Sequence, residues 1–173
     1  SGTTLTVLAC LDTERGRWAV ANVGDSRVYL RPVGSPVLQQ LTVDHSAVQM
    51  LVDAGELTPA EARVHPRRNV ITRALGSREA LTVDVAEVPL ASGDLVLLCS
   101  DGLTNELTDA QIQASCTFAD TLENLVEQLI EQANAHGGRD NISCIVIGRT
   151  AQPQATESRG RRFINMLLKP LKS

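Results

Sequence analysis

Aromatic residues are nearly missing: one Trp, one Tyr and two Phe stand among 173 residues. Base-stacking platforms need aromatic side chains, and a net charge of −4 offers no electrostatic drive toward a phosphate backbone. Nucleic acid is therefore excluded as a partner of the main body. No CxxC pair occurs, and Cys10, Cys99, Cys116 and Cys144 are scattered, which leaves no spacing for a zinc site. Cys10, Cys99 and Cys144 lie inside apolar, strand-like runs and read as reduced core thiols of a cytoplasmic protein. No run reads as a signal peptide or a bilayer span. There is no nucleophile elbow and no phosphate-cradling glycine loop, so acyl transfer and nucleotide hydrolysis have no support. The chain opens directly on a strand with no start methionine, as a piece of a longer chain would. What is plentiful is apolar: 43% of the residues, enough over this length for one domain with a sizeable core.

The organising stretch is GDLVLLCSDG at 93–102. Its five apolar residues, 95–99, suit a strand buried on both faces. The run stops at Ser100-Asp101-Gly102. A carboxylate at the end of a buried strand is costly unless a cation or several N–H groups pair it. Gly102 allows a sharp turn or a close approach. Taken alone, Asp101-Gly102 reads equally as a turn or a site.

Before it, residues 4–11, 17–23, 27–31 and 37–41 read as strands, with Gly24-Asp25-Ser26 a hairpin-type turn, so the opening is an antiparallel meander. Ser46 starts a helix with Val48, Leu51 and Val52 on one face and Gly55 at its close. Thr58-Pro59-Ala60-Glu61 is a capping box with proline at the first helical position. Residues 46–69 thus form a helical excursion, made basic by Arg63, His65, Arg67 and Arg68. It is either a solvated flap or a substrate-facing one. Residues 70–75 are short and apolar, and 81–88 alternate as a strand. Thr108 and Gln111 box a helix over 109–115. The clearest helix is 120–136, with Leu122, Leu125, Val126, Leu129, Ile130 and Ala133 on one stripe. Residues 142–147 read as a further buried strand.

Residues 1–149 make the domain, 150–158 a polar linker, and 159–173 a basic tail with Phe163, Ile164, Met166, Leu167 and Leu168. The tail reads as a disordered basic segment, or as an amphipathic helix making weak contact with a membrane surface through 159–172.

Three aspartates stand at comparable places: Asp25 after a strand, Asp101 at the end of the central strand, Asp140 before the last. Carboxylates at strand ends on one rim can converge, and oxygen-only clusters suit hard divalent ions such as magnesium or manganese. A pair of such ions polarises a phosphoryl group and activates water. Each Asp alone reads more readily as a turn residue.

The string ANVGDSRVYL at 21–30 resembles the metal-dependent serine/threonine protein phosphatases, the PPM or type 2C family. So do SGTT at 1–4, LTVDHS at 41–46, ITRALG at 71–76, GDLVLLCSDGL at 93–103 and GGRDNISCIVI at 137–147. The six strings come in the family's order and cover about 1–148, and 46–69 looks like the flap of the bacterial branch, with His65, Arg67 and Arg68. The resemblance implies an α+β fold, a four-layer α-β-β-α sandwich of two mostly antiparallel sheets, here incomplete at the N-terminus. It implies two metal ions between the sheets, and hydrolysis of phosphoserine or phosphothreonine in proteins by water they activate, without a phosphoenzyme. The partners it implies are phosphorylated proteins, the targets of a Ser/Thr kinase. Asp101 and Asp140 match ligands of the metal pair, and Asp25 a ligand of a third, weaker metal. Gly24, Ser26, Gly102 and Asn141 complete the motifs, Asn141 bracing the site from behind. Asn105 stands where several members carry another aspartate, which weakens the third site.

The family's earlier segment carries a phosphate-binding arginine, a Glu-Asp pair and a histidine proposed as general acid, and none has a counterpart here. Asp101 and Asp140 alone fall short of the shells magnesium demands. Sheet edges and apolar faces should also lie uncovered. The expectation is a phosphatase whose present chain is inactive by itself. The alternative is a non-catalytic module of the same fold that binds phosphoproteins or other partners.

Overall fold

The computed structural model of the chain describes residues 2–77 and 81–149. Two antiparallel sheets carry the fold. β1 (Leu5–Asp12), β2 (Arg17–Val23) and β5 (Asp84–Pro89) form one, in the order β1-β2-β5. β3 (Arg27–Arg31), β4 (Gln39–Gln40), β6 (Leu95–Cys99) and β7 (Cys144–Gly148) form the other, in the order β4-β3-β6-β7. The helices are α1 (Ala47–Asp53), α2 (Pro59–Val64), α3 (Asp101–Thr104), α4 (Asp109–Phe118) and α5 (Leu122–Ala135).

The period-2 alternation of β3 and β6 sorts their side chains into two cores. Val28, Leu30 and Val96 pack with Val20, Val88 and Leu90 between the sheets. Tyr29, Leu95, Leu97 and Cys99 point the other way, onto Leu103, Leu107, Ile112, Leu125, Leu129 and Ala133 of the helical layer. β6 is thus buried on both faces, as its unbroken apolar run requires. Leu97, Leu103, Leu107 and Leu129 are fully buried, and truncating any one to Ala costs about 2–5 kcal/mol. Thr58 and Thr108 each cap their helix through a complete box.

Among the described residues, no helix covers the outer face of the β1-β2-β5 sheet. Leu5, Val7, Leu11 and Val85 are exposed there. The helices of the other sheet supply the remaining layer of the expected sandwich.

Several expectations need correction. Gly24-Asp25-Ser26 is not a hairpin turn: β2 pairs with β1 and β5, whereas β3 pairs with β4 and β6. The turn carries the chain from one sheet to the other, and the opening is not one meander. The strand expected over 37–41 shrinks to Gln39–Gln40, and residues 70–75 contribute only isolated bridges at Ile71 and Leu75. α4 runs on to Phe118. β7 is half-buried, not buried, because it is an edge strand. Cys10 is exposed on edge strand β1 and is no core thiol, while Cys99 is buried and Cys144 partly so; all four cysteines are free. No helix among the described residues is long and apolar enough to cross a membrane. The linker at 150–158 and the basic tail at 159–173 lie outside the described residues.

Candidate metal centre

The turn between the sheets places Asp25 where they meet. Gly24 has φ +119°, and a Cβ there would stand 2.3 Å from Thr4 Cγ2, so only glycine fits. Asp25 is 9% exposed. Ser26 adds only its carbonyl, toward Thr6 Oγ1 at 3.4 Å.

Asp101 is the first residue of α3, immediately beyond β6. Its Oδ2 accepts from Asn105 Nδ2 at 3.2 Å. Gly102 permits a close approach, but to protein: a Cβ there would lie 2.4 Å from the carbonyl oxygen of Asn141. That carbonyl accepts from Ser100 Oγ at 3.1 Å, and Ser100 Oγ accepts the Ser143 N–H at 3.0 Å. Asn141 therefore braces the loop through its backbone. Asp140 is exposed, and its Oδ1 accepts the Asn141 N–H at 2.7 Å.

Asp25 feels the charge of Asp101, and Asp101 that of Asp140. Burial first, and then the Asp101 charge, push the Asp25 carboxyl from 3.8 up to about 6. Burial first, and then Asp140, push the Asp101 carboxyl up. The nearby guanidinium relieves Asp25 only weakly, because it is engaged elsewhere. Arg27 grips Asp44 with Nε on Oδ1 at 2.8 Å and Nη2 on Oδ2 at 2.7 Å. Its Nη1 donates to Tyr29 Oη at 3.0 Å, and that hydroxyl donates to Asp109 Oδ1 at 2.8 Å.

Asp25, Asp101 and Asn105 line an open pocket of about 320 Å³, walled on the flap side by Arg63 and Arg68. Arg63 ties the flap down, donating to the carbonyls of Thr104 at 3.0 Å and Leu107 at 3.2 Å. His65 and Arg67 do not line the pocket. His65 ends α2, and its Nδ1 accepts the Arg67 N–H at 3.1 Å. Asp140 is absent from the lining too, although its charge reaches Asp101.

Residues without an assigned role in the sequence hold these segments in place. Glu106, its side chain 2% exposed, takes Arg139 Nε on Oε1 at 2.9 Å and Nη2 on Oε2 at 3.0 Å, which fixes the loop leading to Asp140. Arg139 holds the Glu106 carboxyl below its usual range. His45, 5% exposed, bonds Gly24 on both sides: its backbone N–H donates to the Gly24 carbonyl at 2.9 Å, and its ring Nδ1 accepts the Gly24 N–H at 3.1 Å. Arg139 and His45 stand inside recognisable strings, but nothing in those strings names their partners.

The donor set is carboxylate and amide oxygen, partly buried and only weakly relieved by arginine, which suits a hard divalent cation. It is also incomplete: among the described residues no three His, Cys, Asp or Glu side chains gather closely enough to hold one ion.

The stage II sporulation protein E (SpoIIE) family model matches residues 51–150, more than half of the chain. A serine/threonine phosphatase, stp, of Listeria innocua is 38% identical over 153 residues, 88% of this chain and 60% of the relative. The crystal structure of the serine/threonine phosphatase PstP/Ppp of Mycobacterium tuberculosis superposes with a TM-score of 0.78 at 36% identity, covering 87% of this chain and 61% of that one. A second structure, the catalytic domain of PstP in complex with two manganese ions, gives 0.72 at 36% identity, over 84% and 57%. The chain thus spans about three-fifths of the length of the relatives it matches. The two-sheet fold and these likenesses agree, and the chain belongs to the SpoIIE/PP2C-type family of phosphatase domains.

Proposed function

We propose that this chain is the larger part of a metal-dependent phosphatase domain that hydrolyses phosphoserine and phosphothreonine in proteins. The observation that carries the reading is the pair of strained carboxylates: Asp25 and Asp101 share one pocket, each is pushed toward protonation, and the neighbouring arginine is committed to Asp44. Asp101 and Asp140 hold the catalytic pair of manganese or magnesium ions, and Asp25 holds a third, weakened by Asn105. Bound there, such ions supply Lewis acidity and lower the pKa of water. Gly24 and Gly102 let the two turns close, and the Asn141 backbone ties the Asp101 turn to the loop that carries Asp140. Arg68, on the flap wall of the pocket, faces a phosphoprotein substrate, and a guanidinium pairs well with phosphate oxygens. His65 and Arg67 shape the flap rather than the pocket. The substrates are products of a Ser/Thr kinase, in the cytoplasm, where four free thiols remain reduced.

A second reading, a phosphoprotein-binding module without catalysis, is favoured by one observation: no three metal-ligating side chains gather among the described residues. Phosphate release from a phosphothreonine peptide, with and without manganese, separates the two. The measurement uses the chain alone and the chain joined to the part of the Listeria relative that it does not span. The expected result is manganese-dependent release by the joined protein, abolished by Asp101→Asn. A joined protein that binds manganese and the phosphopeptide but releases nothing is the binding module.

A further inference from the structure

The His45 ring is almost wholly buried, and both of its nitrogens are used. A peptide N–H can only donate, so the Gly24 N–H at 3.1 Å requires Nδ1 to be the bare, accepting nitrogen. In the neutral ring the single proton then sits on Nε2, from which it donates to Asp84 Oδ2 at 3.0 Å. Arg73 Nη1 lies 3.2 Å from the same Nε2 but cannot donate to a protonated nitrogen; its partner is Asp84 Oδ1, at 3.0 Å. The chain Arg73–Asp84–His45–Gly24 therefore has one consistent set of donors and acceptors. Asp84 lies on β5, so the chain anchors the turn between the sheets to the far strand of the β1-β2-β5 sheet.

Gly24 is the residue beside Asp25, and His45 holds it from both sides, the ring at the Gly24 N–H and the His45 backbone N–H at the Gly24 carbonyl. The turn is strained enough to need φ +119°, and an unheld turn of this kind has other conformations open to it. We infer that His45 is a positioning residue: its Nδ1, aimed by Asp84, holds the Val23–Gly24 peptide through the Gly24 N–H, and with it the turn into Asp25, so that the Asp25 carboxylate faces the pocket before any cation arrives. This rests on the reading of Asp25 as a cation ligand. The effect parallels the loss seen when a group behind a metal ligand is removed, commonly 10–100-fold in affinity.

The two amide replacements of histidine separate positioning from general support. The carboxamide oxygen of His45→Asn falls near the place of Nδ1 and preserves the acceptor for Gly24. The longer side chain of His45→Gln reaches toward Asp84 and removes that acceptor. The test is titration of the ¹⁵N-labelled full chain with manganese, following paramagnetic broadening of the Gly24, Asp25 and Ser26 amides, which registers even weak binding. Thermal unfolding of each variant without metal runs beside it. The expected result is broadening of the wild-type chain and of His45→Asn at concentrations within about threefold, with His45→Gln requiring about tenfold more, while the two variants lose similar thermal stability. Equal affinity for all three proteins overturns the inference, and so does a loss in both variants that follows their loss of stability. Asp25→Asn is the control for the underlying reading: broadening as in wild type, or no broadening of the wild-type turn, removes Asp25 as a ligand and the inference with it. Should the variants fail to fold, the long-range ¹H–¹⁵N spectrum of the wild-type ring decides. A proton on Nε2 alone supports the assignment, and a proton on Nδ1 overturns it.

Discussion

Asp25→Asn should stabilise the metal-free protein. The carboxyl titrates at about 6 in the folded chain against 3.8 for the ordinary group, and this raised value sets the sign. Below about pH 4 the side chain is protonated in both folded and unfolded states, and the charge contributes nothing. As pH rises from about 4 to about 6 the unfolded chain gives up its proton first, so folding stability falls through that window and stays low above it. A displacement of about two units corresponds to about 3 kcal/mol at neutral pH. For a chain of this size that is roughly 6–10 °C in Tm. Asparagine keeps the shape of the side chain and removes the charge. The assay is thermal unfolding followed by circular dichroism in a chelating buffer, from about pH 4 to about pH 8, for both proteins. The two curves should converge at the acid end, and the variant should stand several degrees higher at neutral pH. Part of the rise comes from Asp101, so Asp101→Asn should capture a share of the same gain. Manganese should raise the Tm of the wild-type chain by more than that of Asp25→Asn, which keeps Asp101 and Asp140 but loses the ligand of the third ion. A gain that is constant across the pH range, or a variant less stable than wild type at neutral pH, would refute the reasoning.

Arg27→Met leaves Asp44, with its side chain 11% exposed, charged and without its partner; a loss of about 3–5 kcal/mol in urea unfolding is expected, largely recovered by adding Asp44→Leu. Gly102→Ala forces a methyl against the Asn141 carbonyl at 2.4 Å and should cost about 1–3 kcal/mol, so an unchanged Tm would mean that α3 and the loop do not touch. For the basic tail at 159–173, co-sedimentation with anionic vesicles should fall as salt is added; equal co-sedimentation by a chain ending at residue 149 removes the tail as the cause.

The elements set by neighbours along the chain were readable from the residues. Both capping boxes, the stripe of α5 and the unbroken apolar run of β6 are local signals, and each stands where the sequence puts it. The turn at 24–26 was misread because its signal, glycine and aspartate between two β-rich runs, is the same whether the strands pair or part. Only the nonlocal pairings of β2 with β5 and of β3 with β6 decide which. β4 fell to two residues because only Gln39 and Gln40 find partners on β3. The three aspartates could be picked out because each ends or precedes a strand. What holds their loops could not. Glu106 meets Arg139 across 33 positions, and Arg27 meets Asp44 across 17, and no local pattern names a partner at such distances. Arg63 was visible only as one more basic residue of the flap, although its bonds to two carbonyls fasten that flap beside the pocket.

The misread turn also explains why the site lies where it does. A hairpin would have kept β2 and β3 in one sheet and left Asp25 at an exposed tip, where a carboxylate is easily solvated and its charge costs little. Passing between sheets instead buries it beside Asp101, and the burial, with the neighbouring charge second, costs about 3 kcal/mol at neutral pH. A charge-assisted bond such as Arg139 to Glu106 contributes about 1.5–3 kcal/mol, and a neutral one such as Gly24 to His45 about 0.5–1.5. Two or three clamps of this kind are enough to keep the carboxylates facing one another while no ion is bound. A cation arriving at such a rim then relieves a strain already present and has little backbone left to order. The same clamps, removed one at a time, should therefore lower cation affinity by more than they lower the melting temperature.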